Sequence, residues 1–122
     1  MNTQKWTIMV LDRPIDIEIT WVGEDLSVLV TGGDKPHIGS ISMATPRESL
    51  TGIGQSATVS TFVYPGHKDD VVGNQFAKAL CVKHGCKVVV TCGIHYKGIG
   101  LEGLKLIDQK LKQFLIETER KD

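Results

Sequence analysis

No stretch of the 122 residues approaches the roughly 20 consecutive apolar positions that a membrane span requires. The opening MNTQKWTIMVLDRP lacks the basic leader, apolar core and small-residue cleavage site of a secretory signal. An excess of charge is missing too, since 14 Lys and Arg offset 14 Asp and Glu. Nucleic acid as the main partner calls for a basic face, so that class is disfavoured. Cysteine is scarce and odd in number, at three, which fits reduced thiols better than a secreted disulfide framework. A soluble cytoplasmic protein is expected. No internal repeat, low-complexity tract or linker interrupts the chain, and its length suits one domain over 1–122. The closing TERKD reads as a solvated tail.

The motifs of several enzyme classes are absent as well. There is no P-loop and no dinucleotide fingerprint. Ser40, Ser42 and Ser49 lack a nucleophile-elbow context, and no paired carboxylates stand at glycosidase-like spacing. The residues offer no self-contained catalytic machinery, so a binding protein rather than an enzyme is expected.

What is present is an ordered change of period. KWTIMVL (Lys5 to Leu11) and IDIEITWV (Ile15 to Val22) read as strands around a DRP turn. Ile15, Ile17, Ile19 and Trp21 alternate with polar residues, as on a sheet with one wet face. GED leads by a hairpin into LSVLVT (Leu26 to Thr31), and SISMA follows as a short strand. Thr45 to Ala57 reads as a long connection, then Thr58 to Tyr64 as another strand. After a turn over Pro65 to Asp70, with Asp69 or Asp70 as cap, Val72, Phe76, Ala79, Leu80 and Lys83 recur at helical spacing up to His84-Gly85. CKVVVTC (Cys86 to Cys92) suits an interior strand. Leu101, Leu104, Ile107, Leu111, Phe114 and Leu115 then form the apolar stripe of a second helix. The expected fold is α+β: a mainly antiparallel sheet with two helices packed on one face, strand-rich first and then helix-strand-helix. Trp6, Ile8 and Trp21 are expected on the uncovered face, where a second copy would bury them.

Two glycine-bearing loops are the candidate sites. GGDKPHIGS combines Gly33 and Gly39, whose freedom lets amides approach a ligand, with Lys35, His37 and Ser40. It suits a phosphate or anionic ring, but on the residues alone a long hairpin turn with a surface histidine is the first reading, because glycine-rich turns are common. TCGIHYKGIG leaves a central strand and opens a helix, the arrangement that places free N–H groups before an anion. His95, Tyr96, Lys97 and Gly98 would supply a titratable ring, a stacking face, a positive charge and a flexible turn. Cys81, His84 and Cys86, followed by Cys92 and His95, spell metal-like spacings on paper. Cys86 starts the next strand, however, so Cys81 and Cys92 read as core thiols and no metal is assigned.

VTGGDKPHIGS and HGCKVVVTCGIHYKGI, at this separation in a chain of this size, resemble the LpdD-type small proteins that accompany gallate and other phenolic-acid decarboxylases. The resemblance covers nearly the whole chain. It implies a fold like that of proteasome-assembly chaperones, a homodimer, and association with a UbiD-type decarboxylase large subunit that performs the decarboxylation. It further implies that the small protein carries reduced prenylated FMN as cargo. The phosphate would then suit Lys97 and the amides near Gly98, and the ring would suit Tyr96, His95 and His37. The alternative is an assembly subunit with no small ligand.

Overall fold

A computed structural model describes residues 2–65 and 69–118. Residues 66–68 of the expected turn and 119–122 of the expected tail lie outside the described residues. Period-2 alternation produces three consecutive strands, β1 (Asn2–Val10), β2 (Arg13–Val22) and β3 (Asp25–Gly33). The β1–β2 turn is Leu11-Asp12, with φ of 54° and 62°. Two left-handed residues give the turn a twist that matches the strands, so Pro14 falls inside β2 opposite Met9 rather than in the turn. β4 (Ser40–Glu48) and β5 (Gln55–Val63) form a long hairpin. Most of the connection expected between Thr45 and Ala57 is therefore paired strand. Polar cross-strand partners such as Thr45 and Thr58 pair as readily as apolar ones on a wet face.

α1 (Asp70–His84) stops at Gly85, whose φ of 64° turns its N–H back to the Cys81 carbonyl. β6 (Val88–His95) is three residues longer than CKVVVTC suggests at its C-terminal end. α2 (Gly100–Gln113) runs into a π-helical turn, Phe114–Thr118.

The six strands lie in the order β1-β2-β3-β6-β4-β5. Among them only β3 and β6 pair in parallel. The α+β expectation holds: Phe76 and Leu80 of α1, with Ile107, Leu111 and Phe114, share one core with Ile15, Ile17, Val30, Val90 and Cys92. Both helices thus cover one face. Trp6 and Trp21 are on that covered face, contrary to expectation. Trp6 meets the Phe114 ring edge-on at 5.3 Å and Trp21 meets His84 at 5.2 Å. Ile17 is buried, and its partner Trp6 must share its side of the pleat. The uncovered face instead presents Leu29, Ile41, Met43 and Phe62. Leu101 and Leu104 also depart from the expected stripe, being 67% and 57% exposed.

Candidate functional site at the joined loops

Strand order determines where the two loops go. β6 lies between β3 and β4, so the chain leaving β3 must step over the end of β6 to reach β4. That step is GGDKPHIGS, and the end it crosses is where HYKGIG begins. The Asp34 N–H donates to the His95 carbonyl at 2.7 Å, and the Gly39 N–H donates to the Cys92 carbonyl at 2.9 Å. In return the Lys97 N–H donates to Asp34 Oδ2 at 2.9 Å. The structure brings the two candidate loops into one assembly.

Asp34 is its centre. Besides Lys97 it holds Arg13, whose Nε stands 2.8 Å from Asp34 Oδ1. The Lys97 amide and the Arg13 guanidinium keep the Asp34 carboxyl below its ordinary range, against the opposing pull of desolvation. Arg13 also lies over the Tyr96 ring, 5.4 Å from its centroid. Tyr96 is buried and donates its hydroxyl to the Val10 carbonyl at 2.9 Å. Burial raises its pKa, so the phenol stays protonated. Tyr96 staples the β1–β2 hairpin to the β6–α2 loop and does not offer a bare stacking face.

His37 is also held. Its Nδ1 is 2.8 Å from the Lys35 carbonyl and its Nε2 is 3.0 Å from Asp69 Oδ2. Asp69, only 7% exposed, accepts the Ile94 N–H on its other oxygen at 2.9 Å. That carboxylate fills the place a further residue of β4 would take beside β6. Asp69 stands at the N-cap position of α1 but makes no capping bond with its side chain. Its expected role as cap is replaced by this tie between loop, strand and helix.

The remaining candidates divide by exposure. Ser40 is fully buried beneath α1, where a Cβ at Gly73 would stand 3.3 Å from its Oγ. Its hydroxyl faces the core and not the loop surface. Gly33 and Gly39 are packed so closely that a Cβ would overlap the His95 carbonyl or the Asp69 carboxylate. Lys35, His95, Lys97 and Gly98 are exposed. Gly98 and Gly100 both have φ of 62°, with Ile99 between them at −86°. Such alternation turns successive amides to one side, and the first N–H groups of α2 follow directly. Next to them, a cleft of about 760 Å³ runs between the β1–β2 turn and α2, with Leu11, Ile99 and Leu106 among its apolar walls. Cys81, Cys86 and Cys92 are buried free thiols, and burial pushes the Cys92 thiol far up, as suits a core residue.

Arg13, Asp34 and Asp69 were not among the sequence candidates. A carboxylate directly after a glycine pair in a loop is a signal for main-chain capture, which could have marked Asp34. Arg13 carries no local signal, because only the β2–β3 register, with Ile15 opposite Gly32, brings it beside Asp34.

Residues 11–121 match the family model described as the prenylated flavin chaperone LpdD-like domain. The chain belongs to this family. Among curated proteins it is similar to Protein LpdD of Lactiplantibacillus plantarum (strain ATCC BAA-793 / NCIMB 8826 / WCFS1), 30% identical over 83 residues. That alignment covers 64% of this chain and 54% of the relative, so the chain spans about half the length of the curated protein it matches. Among solved structures it is similar to a chain in the crystal structure of a novel chaperone complex for yeast 20S proteasome assembly. There the TM-score is 0.51 at 7% identity, over 94% of this chain and 99% of the other. At that identity the likeness establishes the fold alone. Among the described residues, no helix is long and apolar enough to cross a membrane.

Proposed function

We propose that this chain binds reduced prenylated FMN at the joined loop end and hands it to the large subunit of a UbiD-type decarboxylase, catalysing no step itself. The observation that carries the reading is the capture of Lys97 N–H by Asp34, which fixes the start of α2 against the first loop. A phosphate meets the helix N-terminus, the amides around Gly98 to Gly100 and the Lys97 ammonium. The ring system meets the cleft walled by Leu11, Ile99 and Leu106. Family membership supplies the chemical class of the cargo. The exposed Leu29, Ile41, Met43 and Phe62 suit burial against a second copy, giving a homodimer.

Anaerobic titration with reduced prenylated FMN, followed by absorbance and with FMN as control, tests the reading. Saturable binding is expected, weakened roughly tenfold in Lys97→Ala by loss of one charge-assisted contact. Absence of saturable binding would overturn it. The same open sheet face would then favour the second reading, an assembly subunit that grips the decarboxylase without a small ligand.

A further inference from the structure

Among the described residues, β5 closes one side of the sheet with β4 as its single neighbour. The ladder between them has a readable phase. The Tyr64 N–H donates to the Gly39 carbonyl at 2.9 Å, and the Ser49 N–H donates to the Gly54 carbonyl at 3.1 Å. Antiparallel partners alternate between pairs that exchange hydrogen bonds and pairs that do not. Ser56, Thr58, Ser60 and Phe62 therefore turn their main-chain groups to β4. Gln55, Ala57, Val59, Thr61 and Val63 turn theirs to the open edge. Among the described residues, none of these outward N–H and C=O groups has a partner.

Nothing on this edge discourages a further strand. QSATVSTFV holds neither a charge nor a proline, and Thr58, Val59, Thr61, Phe62 and Val63 favour extended backbone. Lysine, proline or a bulge is how natural edges are usually closed to pairing. The opposite edge, β1, carries Lys5. The β4–β5 register runs without a bulge from Ser40 and Val63 to Glu48 and Gln55. α1 packs over β6, β4 and β5, so it is centred on β4, one strand in from the edge.

We propose that β5 pairs antiparallel with β5 of a second copy about a two-fold axis at Val59, joining the two six-stranded sheets into one. A row of donors and acceptors at strand spacing is met by another strand. An identical strand meets this row in full. Val59 faces its own copy, Ala57 faces the partner's Thr61 and Gln55 faces the partner's Val63, with about ten hydrogen bonds over about 30 Å. No like charges meet, because β5 carries none. The helices do not collide either. From β4 to its copy is three strand spacings, about 14 Å, wider than the roughly 8–10 Å between packed helices. Antiparallel pairing sends the two loop ends to opposite ends of the joined sheet, so neither takes a residue from the other copy across this contact. The two-fold stands normal to the sheet, so both open faces look the same way and stay uncovered. The edge contact is thus separate from the one proposed on that face, and it does not depend on the cargo.

Amide exchange of the full chain, read by NMR over a concentration series beside light scattering, tests the contact. The N–H groups of Ala57, Val59, Thr61 and Val63 are expected to slow by about tenfold or more as copies associate. Thr58 and Ser60 are exposed, and at this register Thr58 lies opposite the partner's Ser60. Thr58→Asp with Ser60→Asp sets carboxylates against each other across the axis and should weaken association about tenfold. Thr58→Asp with Ser60→Lys sets opposite charges there and should restore it. Aspartate at 58 keeps an acceptor for Arg47, whose Nε donates to Thr58 Oγ1 at 3.0 Å, and circular dichroism checks that both variants fold. Met43→Glu, on the open face, should leave the edge amides as slow as in the parent. Edge amides that exchange freely at every concentration overturn the proposal. So does an Asp/Lys variant that associates no better than the Asp/Asp one. Loss of edge protection in Met43→Glu overturns it too, by assigning the association to the open face.

Discussion

The two loops at the end of the sheet use glycine for opposite reasons. In the β3–β4 loop, Gly39 is required by what surrounds it, since a Cβ would overlap the Asp69 carboxylate. The facing Gly93 of β6 is required in the same way by the His37 carbonyl. In the β6–α2 loop, Gly98 and Gly100 have nothing within 4 Å of the Cβ position, and only their positive φ favours glycine. One loop is built inward as a joint; the other is left open before a helix N-terminus. Polar loops on a rigid sheet are where ligands usually bind, and here the first loop supplies the rigidity for the second.

The sharpest way to break that contrast is a pair of alanine substitutions. Gly39→Ala must displace a buried carboxylate already bonded to His37 and Ile94, and is expected to cost about 3 kcal/mol. Gly98→Ala meets no atoms and pays only for left-handed backbone, about 1 kcal/mol. Urea denaturation of both variants measures the difference. Equal losses would mean that the loops are not distinguished by packing.

A second substitution tests the joint directly. Asp69→Ala removes the acceptor of the Ile94 N–H and the carboxylate facing His37 Nε2, both in a nearly closed site. A loss of about 2 kcal/mol is expected, with faster amide exchange at Ile94. Lys97→Ala, on the open loop, should stay within about 0.5 kcal/mol of the parent while weakening flavin binding. A Lys97→Ala variant as unstable as Asp69→Ala would make the second loop structural as well.

How far the sequence shows all this depends on the range of the physics involved. Alternation at Ile15, Ile17 and Ile19 and helical spacing at Phe76, Leu80, Ile107 and Leu111 are local patterns, and they lead to the right layers. The faces of Trp6 and Trp21 differ from expectation because they follow from register. Trp6 stands opposite the buried Ile17, and pairing partners are not written in either strand alone. Leu101 and Leu104 match the helical period yet face out, because the face that α2 buries runs along Gly103, Ile107 and Leu111, with Leu106 beside it. At the site, glycine-rich loops with basic residues are visible in the sequence. Their joining is not, because it needs β6 inserted between β3 and β4. Ser40 looks like a loop hydroxyl and is core for the same reason: Ser40 already pairs with Cys92, so β4 has begun.

The smallest effect expected is also the most specific to the Asp34 bridge. Asp34 has its pKa lowered in the folded chain by the Lys97 amide and then by Arg13. A carboxyl lowered on folding adds stability above its unfolded pKa and loses that contribution as pH falls through the folded value. With ordinary aspartate near 3.9, the contribution is full at neutral pH and fades below about pH 4. The urea midpoint of the parent should therefore exceed that of Asp34→Asn by a steady margin from pH 7 to about pH 5, and the margin should shrink below about pH 4. Asp108, also lowered by Gln75 and Lys112, is present in both proteins and cancels from the difference. Asparagine can still accept the Lys97 N–H, so the margin isolates the charge facing Arg13 from the shape of the loop. A margin that stays constant to pH 3 would show that the two loops are joined by hydrogen bonding alone, with the Arg13 ion pair contributing nothing at this exposed edge.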